Sequence, residues 1–141
     1  MHTFLLALHV LFAIFAVGPL VGAAMATPRA LRNRDPAAMT WTARLLRLYA
    51  LASVLVVAIG FALMPTGKQP AHIGDVWIWV SALLWAATAV LVLAVLAPAL
   101  DERARSTTTD EPAAGFGRIA AMAGMVPLVF TVIVFLMVYQ P

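Results

Sequence analysis

The stretch from His2 to Pro28, HTFLLALHVLFAIFAVGPLVGAAMATP, contains no Lys, Arg, Asp or Glu. A helix rises about 1.5 Å per residue, and a bilayer core of about 30 Å is crossed by roughly 20 apolar residues, so this run is long enough to span. In hydrocarbon every backbone N–H and C=O must find its partner inside its own segment or in a closed barrel. The run is too long and too uniformly apolar for a barrel strand, which leaves a helix. Working outward, three further stretches read the same way. The sequence predicts an all-α, integral membrane bundle of four transmembrane helices, at about 4–26, 45–64, 76–100 and 119–139, in a single domain covering 1–141. Apart from Arg47 at the edge of the second, none carries a charged side chain.

Composition agrees. Of 141 residues, 64% are hydrophobic and 11% charged, where a soluble domain has roughly a quarter charged. Lipid must therefore supply the solvent for most of the surface. The chain has no cysteine, which excludes disulfides, thiolate zinc sites, iron–sulfur clusters and thiol nucleophiles. It has no glycine-rich phosphate loop, no metalloprotease signature and no serine nucleophile elbow. No carboxylate lies within a span to carry protons or sodium. These absences lead to the expectation of a non-enzymatic protein with no nucleic-acid partner and no active-transport role.

The polar connections orient the bundle. Eight of the nine Lys and Arg, namely Arg29, Arg32, Arg34, Arg44, Arg47, Arg103, Arg105 and Arg118, fall in or beside the first and third connections; the second holds only Lys68. Basic connections stay in the cytoplasm, so both termini are expected outside, N-out and C-out. Trp77 and Trp79 then mark the outer end of the third helix, Tyr139 that of the fourth, and Trp41 the inner face. Ala24-Met25-Ala26 resembles a signal-peptide cleavage site, but no basic residue precedes the apolar run, and the run is too long for a signal core. Retention of the first helix is expected. A composition rich in Ala, Val and Arg suggests a GC-rich bacterial genome, and the expected location of such a helical bundle is the bacterial inner (cytoplasmic) membrane. A weak duplication is also visible. Asp35-Pro36-Ala37-Ala38 precedes the second helix, and Glu111-Pro112-Ala113-Ala114 the fourth, while Pro28 stands where the first helix is expected to close.

Three groups of residues are candidates for function. Gly18, Gly22 and Ala26 form a small-residue stripe, with Gly124 in a similar spacing on the fourth helix and Ser53, Val57 and Gly60 on the second. Such stripes let helices approach closely in lipid. Packing inside the bundle is the first reading, and a lipid-facing groove for a partner is the second. Pro19 and Pro127 leave the carbonyls of Phe15 and Ala123 without their usual donors, so a kink is expected at each. His9 is an ionisable side chain inside a span, which makes it a functional candidate. With His72 and Met64 on the same outer side it could form a cofactor or metal site for haem b or copper. A neutral imidazole bonded to a carbonyl or water is the first reading, ligation the second, and a proton-relay or quinone contact the third.

The segment Leu8-His9-Val10-Leu11-Phe12-Ala13, followed by Gly18, resembles a family of uncharacterised small four-helix bacterial integral membrane proteins. More distantly it resembles the copper-resistance D membrane proteins and the HemJ-type membrane protoporphyrinogen oxidases. That resemblance implies a haem or metal contact at His9 alone. The second helix departs from the oxidase pattern, since no intramembrane lysine follows it and Lys68 lies in a loop. The expected role is that of an accessory subunit, partnered by the lipid bilayer and by other membrane-protein subunits or by copies of itself. A respiratory or other redox complex is the expected kind of host. The alternative is a small haem- or copper-binding protein.

Overall fold

A computed structural model describes residues 1–66, 72–106 and 115–139; among them the chain is helical, with no strand. Helix α1 spans His2–Arg32 and α2 spans Pro36–Leu63, continued by a 3-10 turn at Met64–Thr66. The third span begins as α3 (Val76–Val90), widens into a π-helical stretch (Leu91–Leu96) and ends as α4 (Ala97–Arg105). The last helix is α5 (Phe116–Tyr139). Four continuous helical runs are long and apolar enough to cross a membrane, as the sequence predicts.

The boundaries differ from the sequence reading, for local reasons. Pro28 does not close the first helix; α1 continues through both Pro19 and Pro28 to Arg32. It ends where Asn33 N–H bonds Arg29 O at 3.0 Å and Arg34 takes a left-handed φ of 50°. Arg29 and Arg32 occupy the last turn, where a cation complements the negative end of the helix dipole. The second helix starts well before residue 45, because Asp35 caps it. The Asp35 carboxylate accepts from Ala37 N–H at 3.0 Å and Ala38 N–H at 3.3 Å, and Pro36 sits in the first turn, where its missing N–H costs nothing. Hydropathy marks only the hydrocarbon-spanning part of each helix, and the helices here project beyond it. Lys68 and the Glu111–Ala114 half of the duplication lie outside the described residues.

The π-helical stretch ends at Leu96, two residues before Pro98. Proline has no N–H to offer the preceding turn and its ring crowds the carbonyl four residues back. A wider turn ahead of it relieves both demands while the span stays helical.

The four spans form a ring in which each packs on its sequence neighbours and α1 closes onto α5. The α1–α2 interface is the most extensive, and α2 meets α4 far more closely than α3. One core joins all four: Leu20, Ala24, Ala43, Leu46, Val92, Leu96, Leu100, Ala123 and Val126 are buried in it. Alanines recur at the most enclosed positions (Ala24, Ala43, Ala97 and Ala123 are 0% exposed), so the backbones come together without large side chains between them. The outward faces carry Phe15, Leu51, Leu83, Leu128 and Val138, all well exposed, as a lipid-facing surface requires.

Polar links also cross between spans. Arg47 Nη2 lies 2.6 Å from Asp101 Oδ2, joining α2 to α4. Deeper, Trp85 Nε1–H donates to Ser53 Oγ at 2.9 Å, and Ser53 in turn donates to Ala50 O at 2.6 Å. Ser53→Ala strips the indole N–H of its acceptor. Interhelical hydrogen bonds in membranes average about 0.6 kcal/mol and reach about 1.7. A loss in that range is expected in an unfolding titration in mixed micelles, together with a shift of Trp85 fluorescence.

Candidate functional site

The histidine-bearing end is held by α1 and α2. His2 Nδ1 lies 3.1 Å from Thr66 Oγ1, and Thr66 Oγ1 also donates to Leu63 O at 2.8 Å. Seven residues deeper, the His9 imidazole rests on Gly60, where an added Cβ would stand 3.2 Å from His9 Cε1. The Val56 backbone also lies beside the ring. Gly60 is thus the close-approach glycine of this end: its bare Cα makes the seat for the imidazole. The sequence stripe Ser53, Val57, Gly60 marks the right helix face, but which residue Gly60 accommodates is visible only from α1.

Ser81 Oγ on α3 is enclosed with no hydrogen-bond partner among the described residues, and His9 Nδ1 is enclosed beside the Val56 backbone. The Trp85–Ser53 bond sets the register between α3 and α2. Ser81 lies one turn from Trp85 toward the histidine end of α3. Thr27, Ser53, Thr88 and Thr131 each bond the carbonyl of the preceding turn; Ser81 does not. Sequence reasoning missed Ser81, because a lone serine in an apolar run carries no signal of its own.

His72 is placed elsewhere. It is exposed in the turn before α3, with its backbone N–H donating to Asp75 Oδ2 at 2.8 Å. Nearby, Trp79 Nε1–H donates to Ile73 O at 2.6 Å. Met64 is half-buried in the 3-10 turn, one helical turn beyond Gly60. The expected donor set His9, His72 and Met64 is therefore spread from the solvent-exposed turn to about 10 Å down α1, at 1.5 Å per residue from His2. Among the described residues no group of three or more His, Cys, Asp or Glu could hold a metal ion. The structure does not bring His9, His72 and Met64 together as one donor set.

The small-residue stripe is the larger surprise. Gly18, Gly22 and Ala26 are exposed on the outward face of α1, while Ala16, Leu20, Ala23, Ala24 and Thr27 turn inward. A Cβ added at Gly18, Gly22 or Gly124 would meet nothing within 4 Å. The reading of these glycines as contacts inside the bundle is corrected: the alanines one or two positions away do that packing. Pro19 and Pro127 lie within unbroken helices. Pro127 also lines an open apolar groove with Val21 of α1 and Phe130, Thr131, Val134 and Phe135 of α5.

No curated protein and no solved structure matches the chain. A family model does match, over residues 3–141, and neither the copper-resistance D proteins nor the HemJ-type oxidases are the family it describes. With nearly the whole length covered and four helices able to span a membrane, the chain belongs to the family described as predicted integral membrane protein (DUF2269).

Proposed function

We propose that the protein is a non-enzymatic accessory subunit of a larger complex in a bacterial inner membrane, docked through the outward face of α1. The observation that carries this reading is the exposure of Gly18, Gly22 and Ala26 in a single stripe. Glycine inside a helix costs about 0.8–1.0 kcal/mol relative to alanine. Two glycines facing lipid with open space above them are not offset by any contact within the chain. Close approach by another helix backbone offsets them, because packing is the chief attraction between helices in hydrocarbon. A respiratory or other redox complex is the host to test first.

The test is co-purification in mild detergent from native membranes. The wild-type protein is expected to migrate with a defined larger assembly. Gly18→Leu combined with Gly22→Leu is expected to release it, cutting recovery of the partner at least tenfold while leaving helical content unchanged. A monodisperse protomer or small homo-oligomer from wild-type membranes sinks the accessory reading.

A further inference from the structure

The hairpin joining α1 to α2 bears Arg29, Arg32, Arg34 and Arg44, all exposed. Among the described residues none of the four has a carboxylate partner. The acid closest in sequence, Asp35, spends its side chain on the N–H groups of Ala37 and Ala38, and its carbonyl on Met39 N–H. The backbone donors at the start of α2 are therefore already taken, and the guanidinium groups are what this hairpin offers an anion. Arg47 is different, being paired with Asp101 across the α2–α4 contact.

The surroundings of these cations are those of a membrane interface. Trp41, 60% exposed, lies one turn before Arg44 on α2, and Met25, 65% exposed, one turn before Arg29 on α1. An exposed indole beside guanidinium groups at the end of a span sits at headgroup depth, and long arginine side chains reach outward from the helix ends to that level. Guanidinium pairs with phosphate through two parallel hydrogen bonds.

We infer that the four arginines of the α1–α2 hairpin form a binding site for the phosphodiester headgroup of an anionic phospholipid, with Trp41 beside the headgroup and the acyl chains alongside Met25. Charge complementarity decides the occupant. Four exposed cations, none paired with a carboxylate among the described residues, face a layer whose phosphates, in anionic lipid, are not neutralised by a choline or ethanolamine. The site lies at the opposite end of the bundle from His9, where the exposed face of α1 that carries Gly18, Gly22 and Ala26 runs out at Arg29.

The test is native mass spectrometry of the full chain released from detergent, incubated separately with phosphatidylglycerol and phosphatidylcholine. Preferential retention of phosphatidylglycerol is expected. Arg29→Gln with Arg32→Gln keeps Arg34, Arg44 and Arg47 to hold the orientation. At the energy of a juxtamembrane cation, it is expected to weaken phosphatidylglycerol retention roughly 30-fold. Arg105→Gln, on the other connection, is expected to leave it unchanged. Wild-type protein needs no variant to fold: raising salt from 0.05 to about 0.5 M is expected to abolish the preference, since screening tightens as the Debye length shrinks. Equal retention of both lipids, or a preference that survives both high salt and the paired substitution, overturns the proposal. So does displacement of the lipid by millimolar inorganic phosphate at low salt, which would assign the arginines to a free anion.

Discussion

Ala24→Leu is expected to destabilise the bundle by about 1–3 kcal/mol or more, the cost of forcing extra methylenes into a filled core. Ala24 is 0% exposed. By the register set at His2–Thr66 and His9–Gly60 it lies near Ala43, also 0% exposed, across the tightest interface of the molecule. A leucine there has nowhere to go except between two backbones, so α1 and α2 must separate. Gly22→Leu, two positions away, makes a larger change in side-chain volume on a face with no atom within 4 Å of the new Cβ. It is expected to leave the isolated protein within about 0.5 kcal/mol, or to stabilise it by up to the helix-propensity gain of about 1 kcal/mol. Unfolding of both variants in mixed micelles measures the contrast. If Gly22→Leu proves as damaging as Ala24→Leu, the exposed stripe is packed within the protomer after all, and the docking surface on α1 is lost with it.

That contrast also shows where the sequence could be read and where it could not. Four spans follow from hydrocarbon length and the lack of charge, which are properties of each segment alone. The facing of a span is not such a property. In α1 nearly every residue is apolar or small, so the inward set (Ala16, Leu20, Ala23, Ala24) and the outward set (Phe15, Gly18, Gly22, Ala26) have almost the same hydropathy. In water, polarity would have separated them; in lipid both faces are apolar. The glycine spacing then points to a close approach without saying to what. His9 is legible as a charge-capable group in oil, but its seat on Gly60 depends on how α1 and α2 are staggered. Helix ends were misjudged for a related reason: Asp35 and Pro36 begin α2 by capping chemistry, which a hydropathy window does not register.

The orientation of the bundle gives the other large effect. Arg29, Arg32, Arg44, Arg47, Arg103, Arg105 and Arg118 all belong to the ends of α1, α2, α4 and α5 that meet at one side, tied there by the Arg47–Asp101 pair, while the His2–Thr66 contact marks the other. Alkaline phosphatase fused after Pro141 is therefore expected to be active in bacteria, and a green fluorescent protein fused at the same point dark. Replacing Arg29, Arg32, Arg34 and Arg44 with alanine, and adding His72→Lys and Ile73→Lys at the opposite end, reverses the bias of the hairpin that inserts first. The phosphatase signal is then expected to fall at least fivefold as fluorescence rises, because lysine and arginine counts in short loops near the span ends decide which loops are retained. The exposed positions of His72 and Ile73 in the turn before α3 keep these substitutions clear of the core, so a change of signal reports orientation and not collapse. A wild-type fusion with bright fluorescence and silent phosphatase places the arginines outside. It also moves the candidate lipid site to the other leaflet and His9 to the cytoplasmic half, so the one measurement bears on every residue assignment that depends on sidedness.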